Sequence, residues 1–224
     1  MNPTRRLRQG LQLRTRRIRL GELAPYLELS EQIPGWTRGA EAEALALAAR
    51  SMLDDALIVE IGAFLGSASV LLAGARKLAG SGMVHCVDPF DASGDDFSAR
   101  VYSEVAAGFT ASLRQQFMQS ILTADLTSFV TVHEGTAETI GAAWDQPIDL
   151  LFLDGDQSIE GVRSAFDLWE PWLKTGGTLV LHNSAPRDYE PNHDGHFRIA
   201  VERVIEPAYR NIRTIGTSTF AEKC

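Results

Sequence analysis

Long apolar runs are missing from this chain of 224 residues. No stretch of about twenty apolar residues occurs, so no membrane-spanning helix is expected, and the N-terminus lacks the apolar core of a secretory signal. Cysteine is scarce: Cys86 lies inside an apolar run and Cys224 is the last residue, which excludes a disulfide framework or a cysteine metal knuckle. Both absences suit a cytoplasmic protein. Acid is absent from residues 1–20, which hold seven arginines, although the whole chain carries a net charge of −8. Taking those seven charges away leaves −15 on the remainder. So acidic a body repels phosphate backbones, which argues against nucleic acid as a partner. The arginine-rich head, with Leu7, Leu11, Ile18 and Leu20 interleaved, admits several readings. It could lie on an anionic membrane surface, dock on a partner subunit to form a homodimer, act as an organellar presequence, or be a solvated tail.

A hydrophobic content of 45% is enough for one sizeable core. No internal repeat, low-complexity segment or long linker divides the chain, so residues 1–30 read as a basic extension and 31–224 as one domain. Helical spacing of alanine and leucine predicts a helix over 38–53, followed by a β-branched strand at 56–62. The alternation then repeats. Further strands are expected at 83–87, 129–135, 148–154 and 177–183, with helices at 67–79, about 99–124, 136–144, 158–173 and 196–207. Strands separated by helices predict a parallel α/β sheet covered on both faces. The last segment, hinged at Gly216, predicts a closing antiparallel pair.

In such a sheet, ligands bind outside the C-terminal ends of the strands. Every strand here ends on polar residues: Glu60 with Gly62, Asp88, Glu134 with Gly135 and Thr136, Asp154 with Asp156, and His182 with Asn183. The first loop, "EIGAFLGSAS", has Phe64 and Ser67 where a dinucleotide fingerprint needs glycine, and it lacks the lysine of a phosphate-binding loop. Glu60 presents negative charge there, which suits a cationic ligand approached closely by Gly62 and Gly66. Asp88 is placed to accept hydrogen bonds from a ribose. Packing explains Gly66 equally well, and a turn before Pro89 explains Asp88.

With "IPGW" at 33–36, "EIGAFLGSAS" at 60–69, "VDPF" at 87–90 and "DLLFLDGDQSIEGV" opening 149–177, the chain resembles the class I S-adenosylmethionine-dependent methyltransferases. Within them it is most similar to small-molecule O-methyltransferases with a DGDH-type motif. The resemblance implies a Rossmann-like, doubly wound, mostly parallel seven-stranded sheet of order 3-2-1-4-5-7-6, the last strand antiparallel. It implies S-adenosyl-L-methionine as cofactor, with Glu60, Gly62, Gly66 and Ser67 around the methionine moiety, Asp88 on the ribose, and Gly135, Thr136 and Ala137 near the adenine. Asp154 would border the same site. The acceptor implied is a small hydroxylated molecule such as a sugar or phenolic intermediate.

Removing a proton from a hydroxyl calls for a general base or a metal ion. Relatives use a divalent metal after the fourth and fifth strands, so Asp154, Asn183 and Asp156 are the candidate ligands for Mg²⁺ or Mn²⁺. This chain departs from the pattern twice: Gln157 stands where the motif has histidine, and His182-Asn183 ends the fifth strand. Glutamine cannot act as a base. The role then passes to His182, His193 or His196, beside Asp154, unless the acceptor is acidic enough to need none. His193 and His196 read equally as exposed loop residues. The stretch 91–110 reads as a lid over the acceptor. Phe166, Trp169 and Trp172 recur at helical spacing and are expected in the core, whereas Trp36 either borders the cofactor or pins the first helix. A cofactor-binding protein without turnover, and a docking module dominated by the head, are the alternatives.

Overall fold

The computed structural model describes residues 20–224, so the arginine-rich head and any homodimer contact through it lie outside the described residues. Seven strands form one sheet: β1 (Leu57–Ile61), β2 (Met83–Asp88), β3 (Val130–Glu134), β4 (Ile148–Leu153), β5 (Leu173–Leu181), β6 (Tyr209–Ile215) and β7 (Ser218–Lys223). Their order is β3-β2-β1-β4-β5-β7-β6, with β7 antiparallel to β5 and to β6. This is the expected order and the expected terminal hairpin. The helices are α1 (Ala24–Ser30), α2 (Gly39–Ser51), α3 (Ser67–Ala79), α4 (Asp96–Ala106), α5 (Leu113–Thr123), α6 (Ala137–Gly141), α7 (Ile159–Trp169) and α8 (Gly195–Arg203).

Period-two alternation along the strands sends side chains into two cores. On one face Ile58, Val84, Cys86, Leu150 and Phe152 meet α1, α2, α3 and α5; on the other Val59, Ile61, Val87, Leu151 and Leu153 meet α7 and α8. Burial on both faces explains why the central strands read as continuous apolar runs. Leu20, Leu23, Ala24 and Leu27 belong to the first core. Arg38 ties the chain after α1 to the start of α3, donating from Nη1 to Ser67 Oγ (2.6 Å) and Ser30 O (3.0 Å).

Several boundaries differ from expectation, and α6 and α8 stop at Gly141 and Arg203, short of 144 and 207. The helix expected over 99–124 is two, because the chain turns through Gly108 and restarts on a capping box in which Ser112 receives Gln115 N and Gln115 returns to Ser112 N. Pro171 ends regular α-helix at Trp169. Strand β5 begins at Leu173, since Leu173 pairs with Ile148 across an irregularity before the regular ladder resumes at Thr178. Phe166 and Trp169 are core residues, as expected, and Trp172 packs against them partly buried.

Candidate active site

The C-terminal ends of β1, β2, β3 and β4 open on one cavity of about 300 Å³. A second, of about 310 Å³, lies between the end of β5 and helices α2 and α4. A third, of about 30 Å³, lies between the Pro34-Gly35 turn and the loop after β1. Asp154 and Tyr102 line all three. Asp154 stands at the crossing because β4 is a central strand and ends there. Tyr102 arrives from α4, in the stretch expected to be a lid. That stretch serves both larger cavities: Asp91, Ala92, Ser93 and Gly94 line the first, whereas Phe97, Ser98 and Val101 line the second.

On the β1 and β2 side, Asp88 joins two loops. Its Oδ2 accepts from Phe64 N (2.8 Å) and its Oδ1 from Phe90 N (2.6 Å). Both phenylalanines have positive φ, 44° and 54°, so the carboxylate holds each backbone in a conformation it would otherwise avoid. Burial raises the Asp88 pKa, with those two N–H groups acting against it. Asp88 lines the first cavity, as do Gly135, Thr136 and Ala137. Gly62 is needed by the neighbouring strand: a Cβ there would stand 2.4 Å from Asp154 O. Gly66 packs against the Phe117 ring, where a Cβ would come within 3.2 Å, and it caps α3 rather than lining any of the three cavities.

Glu60 is almost wholly buried. Its Oε2 receives Ser69 Oγ and Cys86 Sγ, while Oε1 has no partner. Burial pushes its pKa up to about 8 despite those two donors. Thr37 Oγ1 is likewise buried and unpartnered. Both residues line the smallest cavity, beside Ser67 and Gly62. Leaving buried polar atoms unpaired costs about 1–3 kcal/mol each, so two of them at one recess point to a ligand that pairs them.

On the β4 and β5 side, His182 is buried between two carboxylates. Its Nδ1 lies 2.6 Å from Asp154 Oδ1, in line for an ion pair but off the axis of a hydrogen bond, and its Nε2 lies 3.7 Å from Glu41 Oε1. Burial would lower the His182 pKa, but the Asp154 and Glu41 charges outweigh it and hold it at about 9. Glu41 also accepts from Thr217 N and Thr217 Oγ1, both at 2.7 Å; although its burial works the other way, the nearby His182 and the bonds from Thr217 hold it down to about 2. The two carboxylates favour the imidazolium over the free base that the sequence allowed for. His193 and His196 are buried rather than exposed. His196 Nδ1 lies 2.8 Å from Gln157 Oε1, and burial, with the charges of His182 and His193, lowers its pKa to about 3. Gln157 therefore holds a neutral histidine. His196 lines the first cavity; His182, His193 and Asn183 line the second.

Each of the three residues considered for a metal has a protein partner. Asp154 faces His182, Asn183 Oδ1 accepts from Arg187 Nη2 (2.8 Å), and Asp156 Oδ1 accepts from Ser158 N (2.8 Å) at the start of α7. Among the described residues no group of three or more histidine, cysteine, aspartate or glutamate side chains is arranged to hold a metal ion. Four residues of the site escaped the sequence reading. Glu41 and Asp95 look there like ordinary helix-capping acids, and they do cap α2 and α4. Thr37 and Tyr102 carried no motif.

A family model described as a methyltransferase domain matches residues 59–184. The chain belongs to this methyltransferase family. Solved structures agree on the fold. An O-methyltransferase from Streptomyces achromogenes involved in tomaymycin synthesis, solved with S-adenosylmethionine, is 18% identical over 91% of this chain and 89% of its own, with a TM-score of 0.60. An O-methyltransferase from Bacillus cereus solved with S-adenosylhomocysteine is 17% identical over 90% of each chain, also at 0.60. An S-adenosylhomocysteine-bound methyltransferase from Podospora anserina is 12% identical over 100% of this chain and 97% of its own, at 0.63.

The methyltransferase depends on S-adenosylmethionine, and its cavities suit that molecule. The recess with unpaired Glu60 Oε1 and Thr37 Oγ1 fits an ammonium and carboxylate end, and the first cavity, with Asp88 and Thr136, fits a nucleoside. A cofactor held there would leave the second cavity free. No helix among the described residues is long and apolar enough to cross a membrane.

Proposed function

We propose that this methyltransferase methylates a hydroxyl oxygen of a small molecule held in the second cavity, and that it does so without a metal ion. The observation that carries this reading is the sharing of Asp154 and Tyr102 by all three cavities, which brings donor and acceptor recesses to one point. When bound, S-adenosylmethionine supplies a methyl group on a sulfonium. Glu60 and Asp88 hold its two ends, which leaves positioning as a large part of the rate enhancement, about 7–11 kcal/mol in favourable cases. The His182 imidazolium, fixed by Glu41 and Asp154, supplies the positive charge that stabilises an acceptor oxygen as it loses its proton. That is the electrostatic task for which relatives of the resembling group use a divalent ion, and Asp154, Asn183 and Asp156 do not fit one. Trp36, Phe97, Val101 and Tyr102 give the acceptor cavity an aromatic and apolar wall suited to a phenolic ring or a sugar face. The arginine-rich head extends this domain, and the acidic body suits a cytoplasmic enzyme of small molecules.

The test is calorimetric titration with S-adenosylmethionine, followed by a screen of phenols and sugars with Mg²⁺ and again with chelator. Micromolar binding and methyl transfer at equal rates in the two buffers are expected. A rate that falls tenfold or more with chelator refutes the metal-free reading, and absence of cofactor binding refutes the site.

A further inference from the structure

We propose that His193 takes the acceptor's proton and that Asp95, at the start of the helix walling the acceptor cavity, is the positioning residue that fixes its tautomer. The inference rests on the O-methylation reading above. His193 comes from the loop after β5 and is 7% exposed; Asp95 is 6% exposed. His193 Nδ1 lies 3.1 Å from Asp95 Oδ1 and 3.2 Å from Oδ2. Asp95 also accepts from Phe97 N (3.1 Å), Ser98 N (3.2 Å) and Ser98 Oγ (2.6 Å). A carboxylate only accepts, and the Ser98 proton is already given to Oδ2, so the proton between the two residues belongs to Nδ1. The lone pair of the neutral ring is then on Nε2. Burial pushes the Asp95 carboxyl up, but the His193 and Ser98 hydrogen bonds more than offset this and keep it ionised.

Neither of the other two histidines can serve as well. His182 is protonated between carboxylates and has no lone pair to offer. His196 is held by an amide and lines the first cavity. His193 lines the acceptor cavity, with the Phe97 ring edge-on at 4.8 Å fixing its plane. The charged groups around that cavity are Glu41, Asp154, His182 and Arg187, with Asp95 behind the ring and neutral His196 nearby.

In the step, the acceptor O–H bond breaks and its proton goes to His193 Nε2. The electron pair left on oxygen forms the new O–CH₃ bond, while the C–S pair returns to sulfur and turns the sulfonium into a thioether. Asp95 balances the imidazolium so formed, and the proton then passes to solvent. Because Asp95 caps α4, which carries Phe97, Val101 and Tyr102, the wall of the cavity and the basic nitrogen are set together.

Histidine side-chain ¹⁵N NMR on the full-length protein tests this without an acceptor. In the wild type, neutral His193 should carry its proton on Nδ1 and leave Nε2 without one. Asp95→Asn should raise the Nε2–H tautomer, whereas Ser98→Ala should leave the tautomer unchanged. Calorimetry with S-adenosylhomocysteine should give the same affinity for all three proteins. A wild-type His193 protonated on Nε2 when neutral overturns the proposal even if Asp95→Asn fails to fold. For turnover, 3,4-dihydroxybenzoate is the first acceptor tried, and His193→Gln should lower kcat about a hundredfold or more and remove the acid limb of the pH profile. An unchanged limb overturns the base assignment. No transfer to any acceptor by the wild type refutes the O-methylation reading instead, and the base role with it, while the NMR result still decides the dyad.

Discussion

The charge on His182 can be tested through stability alone. Its pKa stands at about 9 in the folded protein against 6.5 for the free side chain, so the Asp154 and Glu41 contacts favour the imidazolium. At about 1.4 kcal/mol for each tenfold change in proton affinity, that rise is worth about 3 kcal/mol. A raised pKa gives stability that is fully present below 6.5 and lost as pH climbs to about 9. Glu41, held down to about 2 from 4.5, acts in the other direction: its contribution is present above 4.5 and lost in acid. The perturbation is His182→Gln, which keeps a polar group of similar length without the charge. Urea unfolding followed by tryptophan fluorescence, near pH 6, 7.5 and 9, should show the variant less stable than wild type at the lowest pH, by a gap that shrinks by about 3 kcal/mol toward the highest. The gap should narrow steadily as pH rises. Glu60 erodes stability between 4.5 and about 8 in both proteins, so the difference between the two curves isolates His182. A gap that stays constant from pH 6 to 9 would mean that His182 is neutral, and the reading of an imidazolium in the acceptor cavity would fall.

Two further outcomes follow from the glycine loop. Glu60, at about 8, is mostly protonated at pH 7, so cofactor binding that pairs an ammonium with it should release close to one proton, read by calorimetry in phosphate and in Tris. Glu60→Gln should release none, and equal release by both proteins would show that the ammonium sits elsewhere. Gly62→Ala should cost more than about 3 kcal/mol, because φ is +90° and the new Cβ would meet backbone at 2.4 Å. Gly80→Ala, at φ +87° with open space around it, should cost about 1 kcal/mol. Similar melting temperatures for the two variants would refute the close-approach argument.

The alternation of strands and helices and the place of the site were legible because they follow from local chemistry: short apolar runs, helical spacing between them, and polar residues at each strand end; the order of the strands in the sheet came instead from the resemblance that the motifs carry. Asp88, Gly135, Thr136 and Asp154 could be placed from that pattern, since the end of a parallel strand fixes where its next residues point, and Ala137 followed from the resemblance. Which histidine does what could not be read. His182, His193 and His196 look alike in sequence, and they differ only in what the fold sets against them: two carboxylates, one carboxylate and an amide. The partners Glu41 and Gln157 lie 141 and 39 positions from their histidines, and Asp95 lies 98 positions from His193. A side chain's charge depends on neighbours brought from that far along the chain, so the sequence determined the sheet and the ring of strand ends, and tertiary packing decided which proton each histidine keeps.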